Sequence, residues 1–226
     1  MKLIRPSIEF LDMNSKGLSL IEQAGRTCYK SEAKIGEGTD KIFTEKLLNR
    51  GHEAMIEFGW LCYKIICDRG VTHEIVRHRL FSFAQESTRY VNYKEGVNFI
   101  LPPWIQDKIE EGEYPWDRSL SQDMSYKGSH GSWFAVMMWA ENMYQKLLGD
   151  GWTPQQARSV LPNSLKTEIV VGGNFREWRH FFSLRCSKKA HPQMQEVANM
   201  ILRDVITRVP VVFDEYLEEE SNDHRD

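Results

Sequence analysis

RHRLFSFAQESTR, residues 77–89, sets three cationic or titratable side chains in a row and adds Ser82, Gln85, Ser87 and a third arginine. The 226-residue chain around it carries a formal net charge of −3. A mildly acidic protein that concentrates arginine here either holds an anion or keeps a basic face in water. Consecutive helix residues point roughly 100° apart. If Arg77, His78 and Arg79 were helical, they could not all face solvent on a helix that also packs. At least one is therefore expected to turn inward or toward another chain. A buried arginine needs a carboxylate or a phosphate, because an unpaired buried charge is very costly. Its planar fork suits both. The plainer alternative is a solvated basic face paired with Glu74 and Glu86. Ser82, Gln85, Ser87 and Arg89 weigh against it, since each can donate to a phosphate or a base edge. Gln85 offers both a donor and an acceptor, as a pyrimidine requires.

Working outward, GWLCYKIIC (59–67) is short, apolar and rich in aromatic and β-branched residues, which predicts a largely buried strand. Residues 71–80 read as helical and 88–93 as extended. Upstream, Ile42, Phe43 and Leu47 recur at helical spacing and Gly51 is a natural stop, which leaves His52 in the following loop. Downstream, residues 132–148 form a long amphipathic helix. Thr153, Pro154 and Gln156 open a short capped helix that carries Arg158 and must end before Pro162. Residues 165–173 read as a strand, 176–185 as a helix, and 193–208 as a helix burying Val197, Ile201 and Val205. Helices and strands interleave, so the class is α/β or α+β. No repeat or linker breaks the chain. One domain over 1–213 is expected, with an acidic tail over 214–226.

A second cationic cluster comprises Arg176, Arg179, His180, Arg185, Lys188, Lys189 and His191. Arg176, Arg179 and His180 have the spacing of one helix face, with Arg185 turned to the opposite side. Two such clusters in a net-negative chain suggest polyanionic small molecules, such as a nucleotide or a dinucleotide. No glycine-rich phosphate loop is present, so side chains would have to hold the phosphates. Negative net charge without a broad basic stripe weighs against nucleic acid, although Phe81, Phe83, Tyr90 and Tyr93 could stack on bases. No apolar run approaches the ~20 residues of a membrane-spanning helix. Cys28, Cys62, Cys67 and Cys186 form neither a C-x-x-C pair nor a zinc spacing, and a reducing cytoplasmic setting fits them. The first three read as core residues.

Residues 77–89 match the RHRxxSxxxxSxR signature at every fixed position, and the chain resembles the flavin-dependent thymidylate synthases. The likeness extends through RTCY (26–29), GHEAMIE (51–57), RGVTHE (69–74), ARSVLP (157–162), NFR (174–176) and HFFSLR (180–185). It implies a central, mainly antiparallel sheet flanked by helices. It also implies reductive methylation of dUMP to dTMP, with 5,10-methylenetetrahydrofolate as carbon donor, NADPH as reductant, FAD as hydride carrier, and no enzyme cysteine as nucleophile. A homotetramer with active sites at subunit interfaces is implied as well.

By this resemblance Arg185 is catalytic, holding and polarising the pyrimidine. Glu74, Arg77, Gln85, Ser87, Arg89 and Arg158 join it around dUMP, with Arg158 supplied by a neighbouring subunit. Cys28, His52, Glu57, Arg77, His78, Arg79, Asn174, Arg176, His180 and His191 are the implied FAD residues, and no metal is implied. The chain departs from the family pattern in two places. Two extra residues and a proline follow Arg185 (RCSKKAHPQ, 185–193), and Phe58 stands where the family often has histidine. Residues 102–131 are only loosely family-like and read as a lid or an interface loop. A binding protein or sensor without synthase activity stays open as an alternative.

Overall fold

The computed structural model describes residues 1–125 and 127–216. In chain order it contains β1 (Lys2–Ile4), β2 (Ser7–Met13), α1 (Gly17–Cys28), α2 (Thr39–Leu48), β3 (Trp60–Asp68), α3 (Arg69–Ile75), β4 (Ser82–Gln85), β5 (Asn98–Ile100), β6 (Gly112–Glu113), α4 (Arg118–Ser125), α5 (Ser129–Gly149), α6 (Pro154–Ala157), β7 (Lys166–Asn174), α7 (Phe175–Arg185), α8 (Pro192–Arg208) and α9 (Pro210–Phe213). The class is mixed α/β, as expected. A four-stranded sheet has the order β2-β3-β7-β4. Its neighbours run antiparallel. Asn14 N donates to Trp60 O while Lys64 reaches Glu9, and Phe175 N donates to Gly59 O while Arg69 N donates to Leu165 O. A small sheet, β5-β1-β6, is mixed, with β1 parallel to β5 and antiparallel to β6.

The chain resolves into two compact units, each assembled from three stretches. Unit 1 comprises Met1–Ser7, Ile65–Arg77 and Ala84–Ile169; unit 2 comprises Ile8–Lys64, His78–Phe83 and Val170–Asp226. Four of the five boundaries fall inside β2, β3, β4 and β7 and the fifth in the short connection between α3 and β4, so no linker marks them.

In unit 1 the core gathers Leu3, Val97, Phe99, Leu101, Ile105, Ile109 and Leu165 against Phe134, Met137, Met138 and Tyr144 of α5. The described residues of 102–131 are part of this unit's fabric. Ile105 and Ile109 are buried, β6 pairs with β1, and α4 packs along α5. Glu141 of α5 is buried; it accepts from Val97 N at 2.8 Å and pairs with the Met1 amine.

Unit 2 is organised by aromatic rings. Trp178 is fully buried, lies edge-on to Tyr63 and Phe181, and donates from Nε1 to Leu61 O at 3.3 Å. Phe182 and Phe175 continue the stack to Phe213. Two glycines make this packing possible. A Cβ on Gly59 would lie 2.1 Å from the Phe175 ring, and one on Gly173 would lie 2.1 Å from the Phe81 ring. Phe81 belongs to the signature stretch, so Gly173 is what lets that stretch seat on β7.

Several expected elements differ. The helix expected over 71–80 ends at Ile75, because Val76 N and Arg77 N close it on Thr72 O and Glu74 O. Arg77, His78 and Arg79 therefore lie in turns, where the 100° spacing no longer applies. Residues 88–90 form a turn instead of extended chain, with Tyr90 N and Val91 N both donating to Ser87 O. Arg179 does not share a solvent face with Arg176 and His180. It is 7% exposed and turned inward, and it donates to Val212 O and Glu215, both at 2.6 Å. Tyr216 returns a hydrogen bond to Arg179 O at 2.9 Å. Of the acidic tail expected from 214, Tyr216 is thus buried and the exposed Glu215 is tied to Arg179, while 217–226 lie outside the described residues.

Candidate active site

The candidate nucleotide residues fall in unit 1, except for Arg185. Two anchored segments position them. Asp68 caps α3 by accepting from Val71 N at 2.7 Å, and this helix carries Thr72 and Glu74. The Thr72 hydroxyl donates to Arg69 O at 2.9 Å. Its proton being spent, Thr72 Oγ1 can only accept, and it accepts from Gln85 Nε2 at 3.0 Å. Thr167 Oγ1 lies 3.3 Å from the same nitrogen. Both threonines are fully buried. The Gln85 amide thus has a fixed sense: its nitrogen faces the protein and its oxygen is the end left to accept from a ligand.

The turn at Ser87–Tyr90 is the second segment. Arg89 Nε donates to Gln155 Oε1 at 2.9 Å, and Arg158 Nη1 donates to Thr88 Oγ1 at 3.0 Å. Arg158 sits just past α6, whose start is closed by Thr153 N donating to Gln156 Oε1 at 2.9 Å. Arg158 therefore reaches the 87–89 turn of its own chain. Behind the turn, Glu86 accepts from Tyr93 Oη at 2.6 Å and pairs with Lys166 at 3.0 Å, and Lys166 also contacts Glu168 at 2.5 Å. Glu86 is thus tied to Lys166 and Tyr93, not to the signature arginines. Glu74 is half-buried and Arg77 is exposed.

The candidate flavin residues fall in unit 2, except for Arg77. A cleft of about 320 Å³ brings Cys28, His52 and Arg176 together with Tyr29, Glu53 and Met55. Gly51, in the left-handed region at φ 69°, turns the chain after α2 so that His52 N closes on Leu47 O. Arg176 Nη1 donates to Glu57 Oε1 at 2.7 Å, and its Nε lies 3.8 Å from Glu53. Cys28 is exposed at this cleft and is not a core residue, whereas Cys62 and Cys67 are buried. Burial pushes both buried thiols up, which disfavours the thiolate.

Asn174 acts as the cap of α7, accepting from Glu177 N at 2.8 Å. Arg79 and His180 are exposed, as is His191 at the head of α8. The two residues extra to the family pattern sit in the turn between α7 and α8. Gln195 Nε2 ties that turn by donating to Ser187 O at 2.6 Å and Ala190 O at 3.2 Å.

His78 differs from its neighbours. It is 4% exposed, set among Phe81, Phe181 and His180 with ring centroids 5.9, 5.0 and 5.6 Å away. Arg185 Nε donates to His78 Nε2 at 3.1 Å. Burial first, then the charges of Arg185 and His180, push the imidazole down to about 4. Glu177 lies 3.3 Å from His78 Nδ1, and burial raises its carboxyl. Neither this link nor the two threonines behind Gln85 has a local signal in the sequence. The partners are 107 residues apart in the first case and 13 and 82 in the second.

The chain is similar to known proteins. The family model described as thymidylate synthase complementing protein matches residues 9–211. A flavin-dependent thymidylate synthase of Mycobacterium sp. (strain KMS) is 33% identical over 215 residues, covering 88% of this chain and 80% of that one. The enzyme of the same description from Mycobacterium leprae (strain Br4923) is 31% identical, with 95% and 85% covered. A crystal structure of the UMP/dUMP methylase PolB from Streptomyces cacaoi, bound with 5-Br dUMP, shares the fold. Its TM-score is 0.77 at 23% identity, covering 96% of this chain and 97% of that one. With the family model spanning nearly the whole described chain, this protein belongs to the Thy1 family, the flavin-dependent thymidylate synthases.

Proposed function

We propose that the protein converts dUMP to dTMP by reductive methylation, taking the carbon from 5,10-methylenetetrahydrofolate and the reducing power from NADPH through FAD. The observation that carries this reading is the constellation on residues 85–89. An amide of fixed sense, a serine hydroxyl and the Arg89 guanidinium lie on one anchored segment that Arg158 reaches through Thr88, the equipment for one pyrimidine ring and one phosphate. Membership in the family supports the reaction.

Arg89 and Arg158 bind the phosphate through charge-assisted hydrogen bonds, with Ser87 beside them. Gln85 Oε1 accepts from the pyrimidine N3–H. Uracil carries that proton and cytosine does not, so the fixed amide favours dUMP. Glu74 and Arg77 complete the nucleotide set. Arg185 donates to the carbonyl edge of the ring and stabilises the negative charge that accumulates as C5 becomes nucleophilic. No cysteine is assigned as nucleophile.

The unit 2 cleft suits one end of a dinucleotide. Its volume is at the small end of ligand clefts, and it combines an apolar wall with a guanidinium and an imidazole. His52, Cys28 and Arg176, braced by Glu57, would hold the flavin there. Arg77, Arg79, His180 and His191 supply exposed donors for its phosphates, while His78 and Asn174 contribute by fixing α7 and Arg185. When bound, FAD carries hydride from NADPH to the one-carbon unit. We further propose a cytoplasmic homotetramer whose active sites lie at subunit interfaces.

The test is NADPH oxidation by the FAD-supplemented protein under anaerobic conditions with methylenetetrahydrofolate, with and without dUMP, scoring dTMP. Production of dTMP that needs both FAD and dUMP is the expected result. Bound flavin without dTMP would overturn the reading in favour of a binding protein.

A further inference from the structure

We infer that His78 is a positioning residue for Arg185, acting as a neutral hydrogen-bond acceptor and not as a cation in the arginine cluster. This rests on the role proposed above for Arg185 and deepens it. Arginine has only donors. The 3.1 Å contact between Arg185 Nε and His78 Nε2 therefore requires a lone pair on Nε2, which places the imidazole proton on Nδ1. Nδ1 faces the Glu177 carboxylate at 3.3 Å, off the axis of a full hydrogen bond. Glu177 is itself buried, and its backbone is held by the α7 cap. The result is one hydrogen bond from guanidinium to imidazole, with a buried carboxylate close behind the imidazole.

The geometry explains why a histidine sits between two arginines. Arg185 is the last residue of α7, where backbone hydrogen bonding is running out and a long side chain has many rotamers. A bond at Nε fixes the plane of the guanidinium at its root and so sets the direction of its fork. An arginine or lysine at 78 would repel it, and an apolar side chain would remove the acceptor at its Nε. Phe81, Phe181 and His180 pack around the ring, which holds the acceptor still.

The experiment compares His78→Phe, which keeps an aromatic ring in the packing but removes the acceptor, with His78→Gln, which restores one. In flavin-loaded enzyme, His78→Phe should retain FAD and lower kcat for dTMP by roughly 10- to 100-fold, the worth of one hydrogen bond to a charged group. His78→Gln should recover part of that loss. Arg185→Ala added to His78→Phe should cost far less than it does alone, because the two act as one unit. A His78→Phe enzyme with wild-type kcat, or losses that multiply in the double variant, would overturn the assignment. If His78→Phe does not fold, nitrogen NMR of the His78 ring decides the matter without turnover. Nε2 should report an unprotonated nitrogen at pH 7, and its resonance should move in Arg185→Ala. A protonated Nε2, or no movement, would overturn it. Wild-type protein that makes no dTMP would instead sink the function proposed above and leave the ring measurement standing.

Discussion

Gln85 has one orientation open to its amide, and the reason lies in a hydroxyl proton. Thr72 spends that proton on Arg69 O, so only the amide nitrogen can face it. Thr72→Val keeps the shape and removes the acceptor, leaving the weaker contact with Thr167 as the only lock. The amide can then turn and offer a donor to the ligand. Discrimination between dUMP and dCMP in competitive binding should fall by about 10-fold, the value of one lost hydrogen bond. An unchanged ratio would remove Gln85 from the base. His78 makes a prediction of its own. Its proton is bound near pH 6.5 in the unfolded chain but only near pH 4 in the native one. The unfolded state therefore binds more protons in that window, so stability is full above about pH 6.5 and is lost as pH falls toward 4. The contribution is at most about 3 kcal/mol. Urea unfolding at pH 7 and pH 5 should show a larger acid loss for wild type than for His78→Phe. Equal losses would mean that the imidazole is not held neutral by its surroundings. Residue types announced the cationic chemistry of both sites, but not which arginine would be tied to which partner.

At the scale of elements, sequence and structure agree where local signals act alone. α5, β3, β7 and α8 follow from apolar periodicity, and α6 follows from its capping box. They part where distant contacts decide. α3 stops at Ile75 and His78 turns in toward α7, so the helical reading of residues 71–80 runs five residues too far. Arg179 has the spacing of a surface residue beside Arg176 and is instead spent on Val212 and Glu215. β4 is four residues long and owes its place to β7. Gly173 makes room for the Phe81 ring beside that pairing, because any Cβ there strikes the ring at 2.1 Å. Gly173→Ala should destabilise by about 1–3 kcal/mol through overpacking. It should also cost less in a Phe81→Leu background, since a smaller side chain relieves the clash. Urea midpoints of the four proteins test this. Additive losses would show that the ring moves aside freely and that the signature stretch is not seated by this contact.

At the scale of the whole molecule, the expectation of one domain rested on the lack of a linker in the sequence, and that lack does not speak to how the chain divides into compact units. The chain passes between the units five times, and an interleaved path leaves no compositional break to read. α5 leaves an apolar face uncovered within one chain. Its inner face fills the core of unit 1, while Val136 is 57% exposed and Trp139 38% exposed. With Met143 and Val160 they line an apolar groove of about 550 Å³ between α4 and α5, and Trp116 stacks edge-on against Trp139 at 4.7 Å. Two exposed tryptophans and a valine on one face are more apolar surface than a lone soluble chain usually leaves uncovered. Among the occupants of such a groove, a second copy of the chain agrees with the tetramer proposed above. Trp139→Glu sets a charge in that face without touching any residue proposed to hold a ligand. Light scattering should show the wild type as a tetramer and Trp139→Glu as a smaller species. If active sites are completed across the interface, the smaller species should also lose dTMP formation while keeping its fold by circular dichroism. A Trp139→Glu monomer with full turnover would place the whole active site within one chain. A Trp139→Glu tetramer would move the interface to another face.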